Sequence, residues 1–454
     1  MADSDNNQNF LSTLYEILAN GTEDDLEIWL EDLHPAEVAH LLESLPGDKR
    51  EQIWSHVQED VHGEVLIHLN DELRSRFINQ MHPHQLVAVS ESLDTDDLAD
   101  LLPEMPQAVI QEILLSMETQ DRDRLRAVLS YADDTAGGLM EPDTVSVRAD
   151  TTLDVVLRYL RRRGELPEGT DMLFVVDRDT TYQGYLTLNS LLTHDTETLV
   201  EEVMKRDLEG IQADMPSHEV ANLFERRDLI TAPVVDNDGR LLGRITIDDV
   251  VDVIRDTADH RLMSMAGLNE EEDMFAPVFT STRRRAIWLG INLLTAFMAS
   301  WVIGRFDGTI EKLVALAILM PVVASMGGIA GSQTLTLMIR GMALGHVTNN
   351  NAHRLLLKEL GVGIWNGVIW AIIIGAVAGL WFQNFKLSMV IAAAILLNLI
   401  AAALAGATLP MLLKRFGVDP ALSGTVVLTT VTDMVGFLLV LSFAAALMPQ
   451  LTNA

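Results

Sequence analysis

The chain has 454 residues, carries a formal net charge of −33 and contains no cysteine. That length exceeds one ordinary core and calls for two to four domains. The missing thiols exclude disulfides, thiolate metal sites and thiol nucleophiles. The charge is uneven: positions 261–454 hold 12 Lys and Arg against 9 Asp and Glu, leaving 20 against 56 for positions 1–260, a net of −36. So acidic a segment repels nucleic acid and attracts cations. Its start, MADSDNNQNF, lacks the basic flank and apolar stretch of a signal peptide, so the first 260 residues are expected in the cytoplasm.

Residues 1–135 read as an acidic, all-α domain of short helices joined by Pro-bearing turns. A phrase recurs loosely as LHPAEVAHLLESLP (Leu33–Pro46), MHPHQLVAVSESL (Met81–Leu93) and LDTDDLADLLPEMP (Leu93–Pro106). Each opens on a turn or N-cap residue and then spaces apolar residues helically, and such units stack into a small superhelix. Asp96 and Asp100 stand four apart on one face, either a solvated acidic surface or part of a metal site. His82 and His84 belong to a turn and receive no ligand role.

Two similar α/β units follow, over 136–200 and 201–260. Phe174-Val175-Val176-Asp177 returns as Pro233-Val234-Val235-Asp236, and Gly184-Tyr185-Leu186-Thr187 as Gly243-Arg244-Ile245-Thr246. Asn237-Asp238-Gly239 signals a hairpin. The repeat resembles a pair of cystathionine-β-synthase-type (CBS) domains, a module that commonly binds adenosine nucleotides. In that family G-x-x-T-x-x-D places a hydroxyl near phosphate and the Asp on the ribose. The second copy has Gly243, Thr246 and Asp249; the first has Gly184 and Thr187 with Ser190 in place of the Asp.

The helix leaving the second copy presents Asp252, Asp256 and Asp259 on one face, next to Asp248 and Asp249. Like charges so spaced repel, and a hard divalent cation between this face and another acidic surface would reverse the sign. A solvated face is the blander reading. Residues 261–282 form a connecting region, kept acidic by Glu270, Glu271, Glu272 and Asp273.

Residues 283–454 form an α-helical membrane domain. Apolar runs at about 286–303, 313–338, 360–382, 387–411 and 421–448 each reach the roughly 20 residues needed to cross a bilayer. Arg283-Arg284-Arg285 before the first run, then Arg340, Arg354 and Lys358, then Lys414 and Arg415, set those ends inside by the positive-inside rule, with the C-terminus outside. Trp288, Trp301, Trp365 and Trp381 lie toward run ends, as interfacial anchors do. In run two Pro321, Gly327, Gly328 and Gly331 predict an interrupted helix whose exposed carbonyls line an ion path, with Gln333 and Thr334 beside it. Gly363 and Gly367 read as helix packing. Asp433 is the one acid deep within a run, at a cost of about 2.5–3.5 kcal/mol at the centre of a spanning helix. It is read as a cation ligand on a permeation path; the competing reading is a protonated acid, or one bonded to Thr429, Thr430 and Thr432.

PVVASMGGIAGSQ (Pro321–Gln333), KRFGVDPALSG (Lys414–Gly424) and TTVTDMVGF (Thr429–Phe437), in this domain order, resemble the MgtE magnesium transporter family over nearly the whole chain. The resemblance implies a homodimer in the plasma (inner) membrane with a central pore at the subunit interface and two copies of Asp433 facing across it. Gly327, Gly328, Ile329, Gly331, Gln333, Thr429 and Thr432 are expected to line that pore. It also implies closure by cytosolic Mg²⁺ held between the acidic N-terminal and CBS surfaces, through Asp96, Asp100, Asp249, Asp252, Asp256 and Asp259, with a connecting plug helix shutting the path. ATP is the implied ligand of Gly243, Thr246 and Asp249. Where the family usually has Asn after Gly-Gly this chain has Ile329, which opens a second reading of broader selectivity for Co²⁺, Ni²⁺ or Mn²⁺. An ion-coupled exchanger and a nucleotide-sensing receptor without transport also compete with the channel reading. No Walker loop, H-E-x-x-H or nucleophile elbow argues for an enzyme.

Overall fold

The computed structural model describes residues 2–167, 169–268, 273–348 and 351–447, with the side chains of 2–9, 96 and 120 outside the description. Residues 1–258 with 271–276 form one compact unit, and 259–270 with 277–454 another.

The first unit opens with short helices whose starts are written in the recurring phrase. His34 caps Pro35–Glu43: its ring accepts from the Ala36 amide, and its own amide donates to Glu37 at 3.0 Å. At the start of Pro83–Ser92 the His82 amide donates to Gln85, also at 3.0 Å. Proline at the first helical position forfeits only a donor that the helix end leaves unpaired anyway. Asp94 is the corresponding N-cap of Thr95–Leu101. The apolar stripes behind these caps, Val38, Leu41 and Leu42, then Leu86 and Val89, then Leu98 and Leu101, are all buried in one core.

The repeat is two three-stranded sheets, β1 (Ser146–Arg148), β2 (Met172–Val176) and β3 (Tyr182–Thr187), then β4 (Ile211–Gln212), β5 (Thr231–Val235) and β6 (Leu241–Thr246). In each the first pair is parallel and the second antiparallel. The hairpin turns are equivalent. Asp177 accepts from the amides of Asp179 and Thr181 at 2.8 and 2.9 Å, and Asp236 from those of Asp238 and Arg240 at 2.9 and 2.8 Å. The copies part company in packing. The first has its own core around Val147, Leu173 and Leu186, whereas Val220, Phe224, Val234 and Ile245 of the second join the core of the N-terminal helices. The segment leading in from those helices explains this: Glu141 pairs with Arg244 on β6 by backbone bonds of 2.8 and 2.9 Å and by a buried salt bridge of 2.5 Å.

Among the described residues the second unit holds five helices long and apolar enough to cross a membrane: Val278–Gly304, Ala315–Ala343, Ala352–Phe382, Phe385–Arg415 and Pro420–Ala446, called here the first to fifth spans. The fourth is the hub, with 56% of its most apolar window buried against 11% for the first. Glycines let it in close. A Cβ at Gly363 would sit 2.6 Å from that of Ala403, one at Gly367 2.8 Å from Leu396 Cδ1, and one at Gly406 2.6 Å from the Gly331 carbonyl oxygen. The expected break in the second span is absent: Ala315–Ala343 is one continuous helix that carries Pro321 internally. In apolar surroundings an opened turn would strand backbone groups without partners. Its glycines instead serve close packing, which offsets their low helix propensity.

Candidate cation path

Residues on a helix recur on one face at intervals of three and four, and this sorts the second span into two stripes. Pro321, Ala324, Ser325, Gly328, Ile329, Ser332, Gln333 and Thr336 line an open cleft of about 930 Å³. Across it stand Thr429, Asp433 and Phe437 of the fifth span, one stripe at the same spacing. Gly328, Ile329, Gln333, Thr429 and Asp433 are thus brought together. A Cβ at Gly328 would meet nothing within 4 Å, so its backbone lies open to the cleft.

Gly327, Gly331 and Thr432, expected to line the path, lie instead on the packed stripes. Gly327 is filled by the Asn398 side chain, a Cβ at Gly331 would sit only 3.0 Å from Leu428 Cδ1, and Thr432 is fully buried. The reason is geometric: a step of one residue turns a helix by about 100° and carries a neighbour off the open face.

Asp433 is half-buried and has neither hydrogen-bond nor ion-pair partner among the described residues. The nearby hydroxyls turn to their own helix instead. Thr429 donates to the Thr425 carbonyl at 2.9 Å, Thr430 to Val426 at 2.7 Å and Thr432 to Thr429 at 3.1 Å. A carboxylate lining a cleft that also carries the Gln333 amide and the Ser325, Ser332 and Thr336 side chains, with no partner among the described residues, can accept a hard cation or that cation's water shell.

Two polar residues of the second unit went unread in the sequence. Glu359 is an acid within the third span, 3% exposed, bonded by the Thr334 hydroxyl at 3.2 Å and the Lys358 ammonium at 2.5 Å. Asp433 is therefore not the sole acid inside a span, and Glu359 was missed because it stands one residue ahead of the apolar run. Asn398, fully buried in the fourth span, interrupts an otherwise apolar AILLNLIAAA. That interruption was the available signal.

Away from the residues that line the cleft, Met265, from the end of the helix Ile247–Ala266, packs against Leu335, Ile339 and Leu428. His260 of the same helix lies 3.4 Å from Asp419, the N-cap of the fifth span.

The candidate regulatory acids are more scattered. Asp252, Asp256 and Asp259 are exposed along Ile247–Ala266 and Asp100 is exposed on Thr95–Leu101, while the Asp96 side chain lies outside the described residues, as do Glu270, Glu271 and Glu272. Among the described residues no three acidic or histidine side chains converge as a metal cluster. Asp252 does face the N-terminal helices: burial pushes the His68 imidazole down from its ordinary pKa, and Asp252 opposes that. Gly243, Thr246 and Asp249 meet where β6 runs into that helix. Asp249 accepts from the Thr246 amide at 3.3 Å and from its hydroxyl at 3.1 Å, and Gly243 leaves room for the Glu141 carbonyl. These bonds make a helix start, and Thr187 with Ser190 makes the equivalent one in the first copy, at 2.9 Å.

The divalent cation transporter model MgtE matches residues 320–443, the model of the MgtE intracellular N domain residues 33–134, and the CBS domain model residues 136–197 and 200–256. The magnesium transporter MgtE of Thermus thermophilus is 33% identical over 443 residues, covering 96% of this chain and 98% of the relative. The chain belongs to the MgtE family. The MgtE of Bacillus subtilis is 27% identical over 435 residues, 96% of each chain. Among solved structures, the cytosolic domain of the Mg²⁺ channel MgtE in complex with ATP is 34% identical, covers 53% of this chain and 98% of its own, and has a TM-score of 0.48. The expected architecture is therefore met: helical N domain, CBS tandem and five apolar helices of a membrane-embedded transporter family.

Proposed function

We propose that this MgtE-family chain conducts Mg²⁺ into the cell, as a channel or transporter, along the cleft between its second and fifth spans. The observation that carries the reading is Asp433, an unpartnered carboxylate among the described residues, facing Gln333, Thr429 and the open backbone at Gly328. Mg²⁺ sheds water reluctantly, so the ion passes largely hydrated and its shell bonds these oxygens. A polar helix face bared to acyl chains is costly, which supports a second copy of the chain closing the cleft into a pore with two facing Asp433 side chains.

The rest of the reading concerns control and placement. Domain bounds are set at 1–135, 136–200, 201–260, 261–282 and 283–454, with the first four parts cytoplasmic, the C-terminus outside and the inner membrane as the site. Cytosolic Mg²⁺ between the acidic surfaces of Asp96, Asp100, Asp249, Asp252, Asp256 and Asp259 closes the path through the helix that carries Met265. ATP at Gly243, Thr246 and Asp249 belongs to the same control. The test is Mg²⁺ influx into proteoliposomes holding the full chain. Asp433→Ala should bring influx to that of protein-free vesicles while leaving the protein monodisperse; wild-type influx in that variant overturns the reading.

A further inference from the structure

One buried amide stands directly behind both walls of the cleft. Asn398 of the fourth span is 0% exposed, and its Nδ2 donates to the Val323 carbonyl of the second span at 2.9 Å. Two glycines on two other helices make its slot. A Cβ at Gly327 would overlap the amide, and a Cβ at Gly436 of the fifth span would sit 3.0 Å from Nδ2. The cleft lies on the adjoining faces of the same two turns: Gly328 follows Gly327, and Asp433 and Phe437 flank Gly436.

The amide is a poor choice for stability alone. Its Oδ1 is buried with no donor among the described residues, and an unsatisfied buried acceptor disfavours the folded state. A leucine has the same branched outline and would leave nothing unpaired. What leucine cannot do is bond the backbone of the second span, and so fix how far and at what rotation that helix meets its neighbours. The Val323 carbonyl lies within the continuous helix Ala315–Ala343, and its second lone pair is free to take the Asn398 amide without breaking the helical ladder.

We infer that Asn398 is a positioning residue for permeation: wedged between Gly327 and Gly436, it sets the separation and rotation of the two cleft walls at the level of Asp433, and with them the choice among divalent ions. This rests on the Mg²⁺ reading above for its ion flux and stands apart from it for its geometry. The chain has no cysteine, so paired Ser325→Cys and Phe437→Cys substitutions report wall spacing by their rate of oxidative cross-linking, with or without transport.

The experiment uses the full chain in proteoliposomes and compares wild type with Asn398→Leu. The cross-linking rate should change about threefold, the size of one interhelical hydrogen bond in a membrane protein. Mg²⁺ flux should fall about tenfold, since small displacements of a positioned group are felt steeply, and the ratio of Mg²⁺ to Co²⁺ flux should shift with it. A monodisperse Asn398→Leu protein with wild-type cross-linking and a wild-type flux ratio overturns the proposal. Gly436→Ala provides a second arm with the amide intact: crowding the slot should move both readouts the same way. Gly304→Ala, where a Cβ meets nothing within 4 Å, should move neither. If neither Asn398→Leu nor Gly436→Ala folds, Asn398 is a packing residue and the proposal falls. If wild type carries no Mg²⁺, the transport reading falls while cross-linking still decides this one.

Discussion

Two buried polar groups, Arg50 of the first unit and Asn398 of the membrane unit, are treated in opposite ways. In the first unit Arg50 is 1% exposed and saturated. Its guanidinium forks onto Asp273 at 2.5 and 2.7 Å, and its Nε reaches the Leu42 carbonyl at 2.7 Å. Arg244 and Glu141 form a second buried pair. In the membrane unit Asp433 has no partner among the described residues and Asn398 spends one of its two polar atoms. A saturated pair holds chain segments together: Arg50 ties a tract 223 positions away to the N-terminal helices. A group left unspent costs stability, and its use lies in what it can still bind or position. Glu359 sharpens the contrast, because it is an acid of the membrane unit that is paired on both oxygens and so falls on the architectural side.

The largest expected effect follows from that division. Asp433→Ala removes Mg²⁺ influx altogether and leaves size-exclusion behaviour unchanged, whereas Glu359→Gln keeps measurable influx and lowers thermal stability. The opposite pattern, a dead Glu359→Gln protein and a conducting Asp433→Ala protein, would exchange the two roles. Next comes the saturated pair. Arg50→Ala strands the Asp273 carboxylate and should cost about 3–5 kcal/mol, the usual penalty for breaking a buried ion pair. Arg50→Met combined with Asp273→Leu should recover much of this, because both partners leave together. A double-mutant cycle on full-chain unfolding measures the coupling, and additive losses would show that the pair does not act as one.

Much of this was legible in the sequence, for physical reasons that also mark where legibility ends. Hydropathy over about 20 residues fixes a span whatever its neighbours do, so all five spans could be placed, and Asp433 stood out by cost alone. The His-Pro phrases named helix starts because an N-cap is a local bond. Which stripe of a span faces the cleft is a property of neighbouring helices, and Gly327, Gly331 and Thr432 were misplaced for that reason. The continuity of the second span was hidden likewise, since Pro321 and three glycines weaken a helix locally while packing on the fourth span restores it. Arg50 could not be paired with Asp273 at all: nothing local links residues so far apart in the chain.

A smaller effect concerns selectivity. Ile329 is 57% exposed on the cleft wall, beside the polar side chains of Ser325, Ser332 and Gln333. Ile329→Asn adds an amide within reach of a hydrated ion and should raise the preference for Mg²⁺ over Co²⁺, Ni²⁺ and Mn²⁺ by about 2–10-fold, the worth of one net hydrogen bond. Competition flux in proteoliposomes measures it, and an unchanged ratio would show that this wall does not touch the passing ion.

The mildest effect at neutral pH is also the cleanest reading of the saturated pair. Burial pushes the Asp273 carboxyl up, but the hydrogen bonds from Arg50 and the Phe275 amide outweigh it and hold the pKa below the ordinary carboxylate value. A lowered folded-state pKa means that the unfolded chain binds the proton more readily, so the pair's contribution is complete above the unfolded value of 3.8 and is lost as pH falls through the folded value. Between about pH 5 and pH 8 it should therefore add no slope to stability. In more acidic buffer Asp273 takes a proton and leaves Arg50 buried beside a neutral acid, so the wild type should lose stability faster than the Arg50→Met, Asp273→Leu double variant. Full-chain thermal unfolding at graded acidic pH compares them. Parallel curves would mean that the carboxylate is not held ionised by Arg50, and the contrast between Arg50 and Asn398 would lose its saturated member.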